Sequence, residues 1–442
     1  MYKKILLKGI LVFTLSCSSF IAFTQDIIFE VEPFLEAVYG QVNCYDIDAN
    51  SIYPTNYYTP NHYAPGCVAI SFVTMMQYYE WPKKGLGVHQ YVDSHGSSTG
   101  SYQANFEEAT YDWDKILPLY KFTNSTEQEQ EELGKLTFHA AVALNMEFEN
   151  TGSTSNVNRI PAAGKDYFSY MSTYKSTTAP SFWSTVDSNV VHGIPVTLAI
   201  DAPNGAGHSC VVDGMRVYSN GNVFYHINLG WWGDVNGWYQ IRNNYNAGGY
   251  TSVSGGVFDF LPKPYMENPE KLEDDDLYRL KWHISDNIEV EAFELRRKIN
   301  SGLWHTLDVD GLANNLVVFV DEYDDYFFEV RAKINGKWYS NGWSNRVVAD
   351  GVYTGTDDLE MTSFTIYPNP VQDKVTIDLA NNYLNYDKKI EVYNLAGQLM
   401  HTRNILAAKS NYTFSCESYT KGIYFVKLTT TAGTIVLKML KV

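Results

Sequence analysis

The 442-residue chain carries 50 acidic against 33 basic residues, a formal net charge of −17. That balance excludes nucleic acid and anionic membrane surfaces as electrostatic partners. Five cysteines in a chain of this length are too few for a disulfide scaffold, and the length leaves room for two to four domains.

In chain order, residues 1–24 read as a signal peptide. Lys3 and Lys4 precede an apolar run over 5–15, and small residues lead to a cut near Thr24-Gln25. The segment is too short and too interrupted for a membrane span, so an exported protein with no remaining membrane helix is expected. Residues 26–63 are aromatic-rich and loop-like. Next comes Gly66-Cys67-Val68-Ala69, opening a stretch with apolar residues at Val68, Phe72, Met75, Met76 and Tyr79. That spacing predicts a helix with one face on a core, ended by Pro82. Cys67 falls in its first turn, where free N–H groups and the macrodipole favour an anion and so lower a thiol pKa. The plainer alternative is a small buried cysteine at the head of a core helix.

A Gly/Ser-rich loop is expected over 85–100. Helices follow over 127–146, with Leu133, Leu136, Ala140 and Leu144 inward, and over 182–191, with Phe182, Trp183, Val186 and Val190 inward. From Gly193 the texture turns to strands: 195–200, then the run from Gly207 to Gly214 holding His208, then 223–228 ending at Asn228. One half is helical and carries Cys67, the other is β and carries His208. The fold class is therefore α+β, with a cleft where the halves meet. Prolines over 262–269 suggest a linker. Alternating strands over 263–349 suggest a β-sandwich of fibronectin type III kind, 350–361 a second linker, and 362–442 a last small β domain. Asp308 to Gly311 lacks a full calcium loop and reads as a solvated turn.

His208 lies 141 residues after Cys67, and Asn228 a further 20 on. Cys, His and Asn in that order are the arrangement of papain-like proteases. A thiolate attacks a carbonyl, an imidazole carries the proton to the leaving amine, and a neutral amide holds the ring. The surrounding words resemble the streptopain-like cysteine peptidases over about residues 30–262. They are Gly66-Cys67-Val68-Ala69 with its Tyr78-Tyr79-Glu80-Trp81-Pro82 ending, Gly207-His208-Ser209-Cys210-Val211-Val212-Asp213-Gly214, and Phe224-Tyr225-His226-Ile227-Asn228-Leu229-Gly230-Trp231. Gln41-Val42-Asn43-Cys44-Tyr45-Asp46 and Tyr111-Asp112-Trp113-Asp114 are similar to weaker blocks of that family.

The resemblance implies a two-lobed papain-like domain over 25–262. Cys67 is then the nucleophile forming a thioester, His208 the general base and acid, and Asn228 the residue orienting His208. Gln41, with the Cys67 backbone N–H, supplies the oxyanion hole. Trp231 and Gly207 are the expected substrate-binding residues, while Trp232 and Trp238 are packing or groove walls. The expectation is a secreted endopeptidase acting on polypeptides, with no cofactor and no metal. The alternatives are an inactive surface module binding peptides or glycans, or acyl transfer to an amine. Leu229 departs from the family, which has Trp there, and Cys210 reads as a core cysteine. The family's long inhibitory pro-segment is not expected here, which leaves a separate inhibitor protein as one restraint on activity. The final domain, with Tyr367-Pro368-Asn369-Pro370, Tyr393-Asn394-Leu395-Ala396-Gly397 and Gly422-Ile423-Tyr424, resembles the type IX secretion sorting domain. It implies the type IX machinery as partner and delivery to the medium or the outer surface of a Bacteroidetes-type bacterium.

Overall fold

The computed structural model describes residues 26–95, 97–242, 246–272, 277–320, 324–350, 364–379, 388–394, 398–406, 409, 411–430 and 433–442. The expected signal peptide, and all but the first residue of the linker expected at 350–361, lie outside the described residues. Up to residue 262 the elements are β1 (Ile27–Val31), β2 (Cys44–Tyr45), β3 (Ser51–Ile52), α1 (Cys67–Tyr79), β4 (Val88–Asp93) and β5 (Gly100–Asn105). Then come α2 (Glu127–Ala143), α3 (Ile160–Tyr167), β6 (Tyr170–Ser176), α4 (Phe182–Val191), β7 (Val196–Asp201), β8 (Gly207–Tyr218), β9 (Val223–Asn228), β10 (Gly237–Tyr239) and β11 (Ser252–Pro262).

The strands make one antiparallel sheet in the order β10-β9-β8-β7-β11-β6, with β1 pairing the far end of β8. Alternation along β8 sends Val211 to the core that holds α1, and Cys210 and Val212 to a second core with α4. Cys210 is therefore a core residue. The expected helical half and β half are both present, so the architecture is α+β.

Helix α1 is buried nearly all round, not on one face. Its small polar residues are used inside: Ser209 Oγ donates to Ser71 Oγ at 2.8 Å, and Thr197 Oγ1 donates to Met75 Sδ at 3.3 Å. Cys67, Ser71 and Met75 thus form an i, i+4, i+8 row against β8 and β7. Gly66, at φ 89°, starts the helix because a Cβ there would lie 2.6 Å from Met146 Sδ.

Three regions differ from expectation. The Gly/Ser-rich 85–100 stretch contains most of a hairpin, β4–β5, with His89 and Tyr91 turned inward. Helix α2 opens with a Thr126–Glu129 capping box but ends at Ala143, because Asn145 adopts φ 49°. The proline stretch at 262–269 is not a free linker. Leu261, Lys263 and Met266 are buried, Lys263 N–H donates to Ser169 O, and Tyr265–Met266 pairs with Trp282 and His283. Proline lacks an N–H, which such extended, partly paired backbone tolerates.

The following unit has two antiparallel sheets. One holds Leu277–His283 and Asn315–Phe319, the other Ala292–Ile299, Asp325–Ile334 and Val347–Asp350. Leu280, Trp282, Leu295, Phe328 and Val330 lie in its core. It also docks on the first unit: Ala332, Ile334 and Tyr339 belong to the core around α1. Ser285 Oγ donates to Tyr79 O, and Asn287 Nδ2 to Tyr78 O, at the C-terminal end of α1. The described residues from 364 on form two further antiparallel sheets around a core of their own, including Val375, Ile377, Val392, Phe414 and Val426. Among the described residues no helix is long and apolar enough to cross a membrane.

Candidate active site

Helix α1 and strand β8 bring Cys67 and His208 together. The backbone N–H groups of Ser209, the residue after His208, and of Val68 and Cys67 at the helix start act on Cys67 Sγ to lower its pKa. His208 Nε2 lies 2.8 Å from Leu229 O. A carbonyl can only accept, so Nε2 carries the proton and Nδ1 is left as the bare, basic nitrogen. The ring is covered on two sides. Trp231 lies 4.9 Å away between centroids, and Tyr250 stacks at 5.1 Å with 19° between planes.

Burial raises the Cys67 thiol above its ordinary pKa, against the pull of the three N–H donors. Burial likewise lowers His208, against the Leu229 bond. Both shifts act in the direction of the neutral forms. The helix terminus does not win at Cys67, because removal of water outweighs its donors.

Asn228 does not hold the His208 ring. Its Nδ2 donates to Ala37 O at 2.8 Å, and its Oδ1 accepts from Gly230 N at 3.0 Å. The β8–β9 ladder ends at Asn228, which frees the next carbonyl, that of Leu229, to take the ring. The Leu229 side chain is fully buried in the second core, and its N–H donates to Asn236 Oδ1, so the carbonyl is fixed.

Gln41 closes the strap that runs from Phe34. Gly40 bridges Trp231, Tyr39 O accepts from Trp232 N, and Val42 O accepts from Trp232 Nε1 at 2.9 Å. A Cβ on Gly40 would lie 2.3 Å from the Trp232 ring, so only glycine permits this approach. Trp232 therefore packs under the strap, while Trp231 covers His208.

A cleft of about 540 Å³ is walled by Gln41, Tyr53, His62, His208, Trp231 and Tyr250; the Cys67 side chain is not among its walls. Gly207 is not among its walls. It sits exposed at the start of β8, with only Asp201 Oδ1, 3.7 Å away, near a would-be Cβ. Tyr250 has no motif around it that would have marked it. Its phenol is raised by burial first and then by Cys67 and Cys210. His226 pairs with buried Asp213 at 2.6 Å.

Residues 39–239 match the family described as Peptidase C10. This stretch is a Peptidase C10 domain. It contains Gln41, Cys67, His208, Asn228 and Trp231, whereas Tyr250 lies outside the matched residues. Residues 365–442 match the secretion system C-terminal sorting domain. Among curated proteins, streptopain of Streptococcus pyogenes is 26% identical over 218 residues, 46% of this chain and 53% of that protein. The chain thus spans about half the length of the curated relatives it matches. Among solved structures, active wild-type interpain A, a cysteine protease of Prevotella intermedia, is 26% identical. It matches over 52% of this chain and 94% of that one, with a TM-score of 0.43. A two-domain fibronectin type III segment of chicken tenascin matches over 40% of this chain and 97% of that one, at 10% identity and a TM-score of 0.15.

Proposed function

We propose that the chain is a secreted cysteine endopeptidase whose C10 domain hydrolyses polypeptides through a thioester on Cys67. The carrying observation is the 2.8 Å bond from His208 Nε2 to the Leu229 carbonyl. It leaves Nδ1 as the nitrogen that can take the Cys67 proton.

The thiol proton passes to Nδ1 as sulfur bonds to the substrate carbonyl carbon, and the carbonyl electron pair moves to oxygen. Gln41 and the Cys67 backbone N–H donate to that oxyanion. Collapse breaks the C–N bond, and the imidazolium gives its proton to the departing amine. A water, deprotonated by the same nitrogen, then cleaves the thioester and releases the acid. Trp231 and Tyr250 exclude solvent from the imidazole through both states. The sorting domain is an address, passing the protein through the type IX machinery to the outer surface or medium of a Bacteroidetes-type bacterium.

Alkylation with iodoacetamide or an epoxide-type thiol reagent, followed by mass mapping, tests the reading. Cys67 is partly exposed and should label first, because Cys44, Cys210 and Cys416 are buried. Wild type should digest a denatured protein, and Cys67→Ala should not. Equal digestion by both would end the assignment. Amine adducts in place of free acids would make the protein an acyl transferase.

A further inference from the structure

The Gln41 carboxamide makes no hydrogen bond among the described residues, so the strap behind it sets its place. That strap is irregular from Glu32 to Tyr39 and is gripped at its start by one buried carboxylate. Asp213, fully buried on β8, accepts from Leu35 N at Oδ2 (3.1 Å) and contacts His226 Nδ1 through Oδ1 (2.6 Å). Its carbonyl accepts from Phe34 N at 3.2 Å. Gly214 makes room for this junction, since a Cβ there would lie 3.0 Å from the His226 Cβ and 3.1 Å from Val31 O. Two residues on, Asn228 holds Ala37 O, and the Trp231–Trp232 turn holds Tyr39 and Gly40.

A buried carboxylate is costly unless every lone pair it turns inward is used. Here the partners belong to the strap and to one histidine. β1 ends at Val31, and the chain must leave the sheet edge and cross to the cleft. The Asp213 contacts fall where it does so.

We propose that Asp213, with His226 at its other oxygen, is a positioning residue that aims Gln41 at the Cys67–His208 pair. The inference rests on the reading of Gln41 as an oxyanion donor. A misaimed donor weakens only the transition state, so kcat should fall while KM holds.

The test is a variant cycle on the full chain, with steady-state kinetics on a peptide substrate. Asp213→Ala should lower kcat ~10-fold or more with KM within about threefold, short of the ~10²-fold expected for Gln41→Ala. The Asp213→Ala, Gln41→Ala double variant should be no slower than Gln41→Ala alone, because a lost donor cannot be misaimed. Asp213→Asn should recover most of the rate. Its amide oxygen can still accept from Leu35 N, and its NH₂ can face His226 Nδ1. If Asp213→Ala does not fold, His226→Phe replaces it in the cycle, with a loss of about threefold that again vanishes beside Gln41→Ala. Multiplying losses, a rise in KM alone, or an Asp213→Asn enzyme as slow as Asp213→Ala would overturn the proposal. If Gln41→Ala keeps wild-type kcat, the reading of Gln41 fails and takes the proposal with it, an outcome distinct from multiplying losses.

Discussion

The sandwich over 263–349 and the module over 364–442 are both built from short antiparallel strands, but they attach differently. The sandwich lends Ala332, Ile334 and Tyr339 to the core around α1 and caps that helix with Ser285 and Asn287. The last module draws its core from its own residues, Ile366 to Met439. Composition suggested a break after Pro262, but a proline-rich stretch is no mechanical boundary when its apolar residues are buried. On sequence alone both modules look dispensable for chemistry, since every named site residue precedes 262. The structure separates them: the sandwich shares the core around α1, and the last module has a core of its own.

Truncation gives the largest expected contrast. A chain ending at Pro262 should be insoluble, or melt roughly 10 °C lower, because several kcal/mol of buried contact is lost from a domain of this size. A chain ending at Asp350 should keep the kcat/KM and melting of the C10 domain. Equal melting of the two truncations would break the comparison.

Next in size, Phe414→Ala removes a buried ring stacked on His401 and should cost ~3–5 kcal/mol. Calorimetry should show only the last module's transition moving, with peptidase activity unchanged.

Ser285→Ala is smaller, about 1–2 kcal/mol, because the buried Tyr79 carbonyl loses its hydroxyl partner. The C10 transition should carry that loss. If only the sandwich responds, the cap contributes nothing to α1.

Acid gives the finest contrast. Burial lowers the pKa of His139 to about 4 and also lowers that of His208, both in the C10 domain. In the last module burial lowers that of His401, with Arg403 assisting. A histidine lowered in the folded state is protonated first in the unfolded chain. Stability is therefore full above about pH 6.5 and declines as pH falls towards the folded pKa. The loss is at most about 1.4 kcal/mol per pH unit per histidine, less where the ring is partly exposed. Melting at pH 7 and 5.5 should show the C10 transition falling further than that of the last module.

The backbone that carries Cys67 and His208 was legible because each rests on a local pattern, a helix start and a strand. The helix at 182–191 was read to its observed ends for the same reason. The direction of Asn228 was not legible. It is decided by Ala37, 191 residues away, and the residue actually holding His208 does so with a carbonyl that any side chain would supply. The Cys67 thiol was misread because a helix-terminus argument contains no burial. Ser71, inside α1, looks like solvent-facing polarity until Ser209 is placed opposite it. Tyr250 gave no signal because stacking on a ring needs no sequence spacing.

The strap leaves the ribosome early, yet its anchors come late. Leu35 waits for Asp213, 178 residues on, Ala37 for Asn228, 191 on, and Val42 for Trp232, 190 on. Closing loops of that length is slow and must follow assembly of β8 and β9. A nascent or partly threaded chain can form the α1 turn that holds Cys67 while still lacking one wall of the cleft. Completion of the cleft is therefore tied to completion of the domain.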